Sequence, residues 1–125
     1  MTENEIATIV VDAAFMVHTR LGPGLLESVY EASLAHELAK RRLVVRRQQG
    51  LPVIYDTVRL EMGFRADLVV EGRLIVEIKS IEVIAPVHRK QLLTYLRLAG
   101  MKLGLLINFN VEFIKNGITR VVNGL

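Results

Sequence analysis

Apolar residues recur at Ile6, Ile9, Val10, Ala13, Val17 and Leu21, a three-to-four spacing that marks one face of a helix. The pattern predicts a first helix over residues 4–20, with Thr2 or Asn4 able to cap its start. Gly22-Pro23-Gly24 then interrupts it, because two glycines and a proline cannot continue a helix cheaply. Leu26, Tyr30, Leu34 and Leu38 form a second stripe at four-residue spacing, predicting a helix over residues 25–42 with a basic last turn that suits the helix dipole.

Beyond residue 42 the period changes. Leu43 to Val45, Leu51 to Tyr55, Val58 to Met62, Phe64 to Val70 and Leu74 to Ile78 are rich in β-branched and aromatic residues, and Asp56-Thr57 and Glu71-Gly72 supply turns between them. They predict an antiparallel meander of three or four strands. Pro86 opens and Gly100 closes a third helix carrying Leu92, Leu93, Leu96 and Ala99. Leu103 to Phe109 reads as a strand buried on both faces, and Asn116-Gly117, between β-prone residues, predicts a terminal hairpin. The predicted order is α-α-β-β-β-α-β-β, an α/β (α+β) fold with a mixed β-sheet flanked by helices.

Composition narrows this picture. The 125 residues show no shift in composition and fit one domain spanning residues 1–125. Hydrophobic residues at 51% against 23% charged exclude a disordered or fibrous chain. The absence of cysteine removes disulfide frameworks, Cys-based zinc sites, iron–sulfur clusters and thiol catalysis. Mean hydropathy is +0.36, yet charged residues interrupt every run before the roughly 20 residues that a spanning helix needs. The acidic N-terminus lacks the basic start of a signal peptide, so the expectation is a cytoplasmic protein without membrane contact. Net charge is +3. Lys40, Arg41, Arg42, Arg46 and Arg47 concentrate five cations in eight positions, which reads either as a solvated helix end or as a rim contacting phosphates.

The candidate chemistry lies on the strands. In Leu74-Ile75-Val76-Glu77-Ile78-Lys79, the two charges are two residues apart and share a face. Burying either one costs several kcal/mol unless it is paired or ligates a metal. The Glu71-Gly72 turn folds Asp67, from the preceding strand, back beside Glu77. Two such carboxylates repel, and a hard divalent cation relieves the repulsion. Glu27 begins the second helix on the side of Tyr30, Glu31 and Leu34, where it either compensates the helix dipole or joins this site. His88, Gln91 and Tyr95 form a polar stripe on the third helix.

Gly24-Leu25-Leu26-Glu27-Ser28-Val29-Tyr30 resembles the signature of the GxxExxY proteins of the PD-(D/E)xK nuclease superfamily. Asp67 with Glu77-Ile78-Lys79 resembles that superfamily's split D…ExK motif, although Ala66 stands where its name has a proline. Gln91-Leu92-Leu93-Thr94-Tyr95 is similar to the QxxxY element of its RecB-type branch. The four elements occur in order over nearly the whole chain, from about residue 4 to 122.

The resemblance implies a restriction-endonuclease-like core and hydrolysis of phosphodiester bonds in DNA with Mg2+ or Mn2+. It implies Asp67, Glu77, the Ile78 carbonyl and Glu27 as metal ligands, and Lys79 as the group that assists the attacking water. Gln91, Tyr95 and Tyr30, with Arg65, Arg46 and Arg47, are the expected nucleic-acid contacts. The alternative is a non-catalytic module that keeps the nuclease fold and binds nucleic acid or protein. A chain of this size is little more than a bare core, so a homodimer or a protein partner is expected to complete its grip.

Overall fold

The computed structural model describes all residues, Met1–Leu125. Helix α1 spans Glu3–Leu21 and α2 spans Glu27–Lys40; strands β1, β2 and β3 span Val45–Tyr55, Val58–Val70 and Leu74–Lys79. Helix α3 spans Pro86–Ala99 and β4 Leu103–Asn108; a 3₁₀ turn, Ile114–Gly117, leads into β5, Ile118–Val122. No helix is long and apolar enough to cross a membrane.

Local chemistry sets the helix ends. Thr2 accepts the Glu5 N–H while Glu5 accepts the Thr2 N–H, a reciprocal cap that satisfies two orphan donors. Helix α2 is shorter than its apolar stripe predicts. It starts at Glu27, after Gly24 takes a φ of 98°, and ends when Arg42 adopts a left-handed φ of 64°. There the Leu43 N–H donates to the Leu38 carbonyl and the Arg42 N–H to that of Ala39, the paired bonds of a Schellman motif. Helix α3 begins with Pro86 and stops at Gly100, whose φ is 69°.

The five strands form one sheet in the order β1-β2-β3-β4-β5. Neighbours pair antiparallel except β3 and β4, which run parallel because α3 supplies the crossover such a pair requires. The expected strand segments on either side of Gly63 are one strand, and Leu43 lies outside β1. The terminal hairpin does not form. Asn116-Gly117 sits in the 3₁₀ turn, and a Cβ on Gly117 would strike the Asn108 carbonyl. The glycine is there for close approach, and tertiary contact overrides the local turn signal.

Side-chain alternation divides the core. Leu68, Val70, Leu74, Val76, Ile78, Leu103, Leu105 and Ile107 face α1 and α2 in the larger cluster, which also holds Ile6, Val10, Tyr30, Leu34 and Phe109. Ala66, Val69, Ile75 and Leu106 pack with Leu92 and Leu96 of α3 on the other side. Glu77 and Lys79 alternate with Val76 and Ile78 and therefore point to the α3 face.

Candidate active site

The β2–β3 ladder ends at the Leu68–Val76 pair. Past it, side chains join the strands: the Asp67 N–H donates to Glu77 Oε2 at 3.2 Å, and the Ile78 N–H donates to Asp67 Oδ2 at 2.8 Å. Each carboxylate is thus fixed by the main chain beside the other. Glu77 is 8% exposed, and its carboxyl is pushed up to about 9, first by burial and then by its contact with and charge repulsion from Asp67. Lys79, half-buried on the same face, makes no salt bridge, but its charge opposes that rise.

Helix α3 contributes the opposite wall. Tyr95 stacks on Phe64 of β2 at 4.4 Å between ring centroids, and its hydroxyl accepts a hydrogen bond from Gln91 Nε2 at 2.9 Å. Burial, and then the negative charge of Glu77, raise the Tyr95 phenol above its ordinary value. This places the Gln91–Tyr95 pair within electrostatic reach of the carboxylates.

Glu27 reaches the end of β3 from the other side. Its Oε2 accepts the Ser80 N–H at 3.2 Å, while Ser80 Oγ donates to the Leu25 carbonyl at 2.6 Å. The start of α2 is therefore tied to the residue after Lys79. Glu27 remains exposed, and nowhere do three or more Asp, Glu or His side chains converge as a ready-made cation cage. None of the four surface cavities is lined by Asp67, Glu77 or Lys79; the site lies at the end of β3, between two interior strands of the sheet.

Three residues that the sequence patterns did not single out hold this site. Gln48 stands across from Asp67, between the Arg47–Leu68 and Gln49–Ala66 pairs, with a left-handed φ of 49°. Its amide donates to both Asp67 Oδ1 and the buried Glu31 carboxylate, and Arg47 Nε donates to Glu31 at 3.1 Å. Asn108, 2% exposed, binds both the N–H and the carbonyl of Ile81, and the Lys79 carbonyl accepts the Phe109 N–H. These contacts fix the chain just after Lys79. They join residues 16 to 30 positions apart or depend on one strained dihedral, signals that no local periodicity carries; the strain at Gln48 was readable only from backbone geometry.

Among the expected nucleic-acid contacts, Tyr30 is one the structure removes. It is fully buried, stacked on Phe109 at 4.5 Å, with its hydroxyl donating to the Gly22 carbonyl and accepting the Leu25 N–H. It staples the Gly22–Gly24 turn and offers no surface to a ligand. Arg46 and Arg65 are exposed on β1 and β2. The basic cluster is divided: Lys40 pairs with Glu37, Arg41 with Asp12 and Arg47 with Glu31, which leaves Arg42 and Arg46 free of ion pairs.

A mixed sheet with a parallel β3–β4 centre, helices on both faces and an acidic pair followed by lysine at the end of β3 defines a restriction-endonuclease-like nuclease core. The chain matches the family model of the PD-(D/E)XK nuclease superfamily over residues 4–121 and belongs to that superfamily. No curated protein and no solved structure matches it. Nucleases of this superfamily generally use divalent metal ions, and the donor set here fits one. Asp67 and Glu77 offer hard oxygen ligands whose mutual repulsion a cation would relieve, and magnesium commonly takes only one or two carboxylates, with water and phosphate completing its shell.

Proposed function

We propose that the chain is a single nuclease domain, of the GxxExxY group and related to the RecB-type branch, that hydrolyses phosphodiester bonds of DNA with Mg2+ or Mn2+. Asp67, Glu77 and the Ile78 carbonyl hold the cation, with Glu27 joining directly or through water. When bound, the ion supplies charge neutralisation at the phosphate and acidifies a water molecule. Lys79 orients that water and stabilises negative charge developing on the phosphate. Gln91 and Tyr95 line the approach to the scissile bond, and Arg46, Arg47 and Arg65 contact the backbone. The working form is a homodimer or a complex with a protein partner.

The observation that carries this reading is the Asp67–Glu77 pair. Each carboxylate is held by a backbone N–H beside its partner, at a strand end with no enclosing cavity, where an extended polymer can lie. Single-turnover cleavage of single- and double-stranded DNA with Mg2+ or Mn2+ is the direct test. Cleavage abolished by Asp67→Ala and by Lys79→Ala is expected; cleavage that survives both would overturn the assignment. The second reading, a binding module without turnover, is favoured if DNA binding weakens with salt while no cation elicits cutting.

A further inference from the structure

Strands β1 and β2 run on beyond the part of the sheet that the helices cover. From the Leu51–Phe64 pair the ribbon continues to Tyr55–Val58, about 13 Å further at the rise of a strand. On this arm Ile54 is 65% exposed, Tyr55 76%, Val58 54%, Leu60 50% and Met62 62%. A lone two-stranded ribbon is marginally stable in water, and a contiguous exposed apolar patch marks a contact surface. The charges at the arm's end are Asp56, Arg59 and Glu61, and Arg59 is already paired to Glu61 at 2.8 Å. The tip is therefore an aromatic and aliphatic knob with an acidic net charge, poorly suited to a phosphate backbone.

The same chain carries a surface of the opposite character. Between α1 and α2 lies a cavity of about 360 Å³ with Met16, Val17 and Leu21 on its apolar side and Arg20, His36 and Lys40 around it. Glu37, also in its lining, is held below the ordinary carboxylate value, first by its hydrogen bond with Lys40 and then by the charges of Lys40, Arg41 and Arg20. Lys40 is paired to that Glu37 at 3.2 Å, so the rim's free cation is Arg20, which makes no salt bridge.

We propose that the β1–β2 arm of one copy docks in the α1–α2 groove of a second copy, with Tyr55 in the apolar cavity and Asp56 against Arg20. Two reciprocal contacts of this kind close a two-fold dimer in which the same patches serve both copies. Tyrosine is a favoured anchor for such a pocket. The match of an acidic apolar tip to a basic apolar groove selects the second copy over other occupants. The inference gives a surface to the homodimer of the preceding section and rests on that reading for the oligomeric state alone. Catalysis plays no part in its test, so a failure of turnover and a failure of docking remain distinct.

Sedimentation equilibrium of the full chain at micromolar concentration tests it, with thermal unfolding confirming that each surface variant is folded. A concentration-dependent dimer is expected, weakened about tenfold or more by Tyr55→Ala. Asp56→Lys and Arg20→Glu should each weaken it, and mixing the two variants should restore association through the reversed pair. Because the chain has no cysteine, mixed Tyr55→Cys and Ser33→Cys proteins should form a disulfide-linked pair under oxidation. A wild-type monomer, a dimer indifferent to Tyr55→Ala, or ready self-crosslinking of Tyr55→Cys alone would each overturn the proposal. So would loss of DNA binding by a Tyr55→Ala protein whose wild-type parent is monomeric.

Discussion

At the scale of single residues the site is defined by strain and repulsion that the fold tolerates. Glu77 keeps its proton up to about pH 9 in the folded chain against an ordinary value of 4.5. Between those values the unfolded chain binds fewer protons than the folded one, so stability falls as pH rises through that window. Glu77→Gln removes this dependence by mimicking the protonated carboxyl. In cation-free buffer the variant should lose less stability than wild type between pH 5 and pH 8, by up to about 1.4 kcal/mol per pH unit; urea unfolding at the two pH values measures the difference. It should also be inactive, since a neutral amide is a poor ligand for a hard cation.

Gln48 presents the complementary case. Its left-handed φ carries a cost on the order of 1–3 kcal/mol that surrounding contacts must offset, and its amide spans Glu31 and Asp67. Gln48→Gly relieves the dihedral but cuts the bridge. The expected result is DNA cleavage reduced tenfold or more with little change in unfolding temperature, and this split distinguishes a positioning role from a merely structural one. Full activity in the variant would remove Gln48 from the site.

At the scale of elements, what local patterns could foretell depended on how far apart the determining contacts lie. Helices α1 and α3 were legible because the apolar period, Thr2 and the Pro86–Gly100 boundaries all act within a turn or two. The Asp67 and Glu77-x-Lys79 face was legible because strand alternation and the Glu71-Gly72 turn fix it locally, with Glu71 at φ 54° and Gly72 at φ 63°. Tyr30 was misplaced because a tyrosine beside an apolar stripe serves equally as surface contact or buried staple, and only the Gly22 carbonyl and Phe109 decide. The Asn116-Gly117 signal failed for a similar reason, since Asn108 lies eight residues before Asn116.

The packing of α3 on the sheet gives the element-scale prediction. A Cβ on Gly104 of β4 would lie 2.9 Å from Leu92 Cδ1, so the buried Leu92 side chain of α3 rests directly on the sheet backbone. Gly104→Val forces α3 outward, at a cost of about 1–3 kcal/mol for overpacking. Because α3 carries Gln91 and Tyr95, cleavage should fall further than the stability loss alone explains. Activity measured well below the unfolding transition, where the variant is still folded, makes that comparison.

For the whole molecule, the acidic pair and the net positive surface answer different needs, and the cation couples them. A chain of net charge +3 attracts a polyanion from a distance, whereas the negative charge of Asp67 beside the protonated Glu77 resists the close approach of phosphate. A divalent ion at the pair reverses that local sign, and to do so it must displace the proton that Glu77 retains. Cation binding should therefore stabilise the fold, by about 1.4 kcal/mol when free Mg2+ is tenfold above its dissociation constant, and should tighten as pH rises from 6 to 8. Thermal unfolding with and without Mg2+ or Mn2+ at both pH values reads this without any substrate, and Asp67→Asn should abolish the shift. An unfolding temperature that ignores the cation at either pH would place any catalytic metal away from this carboxylate pair.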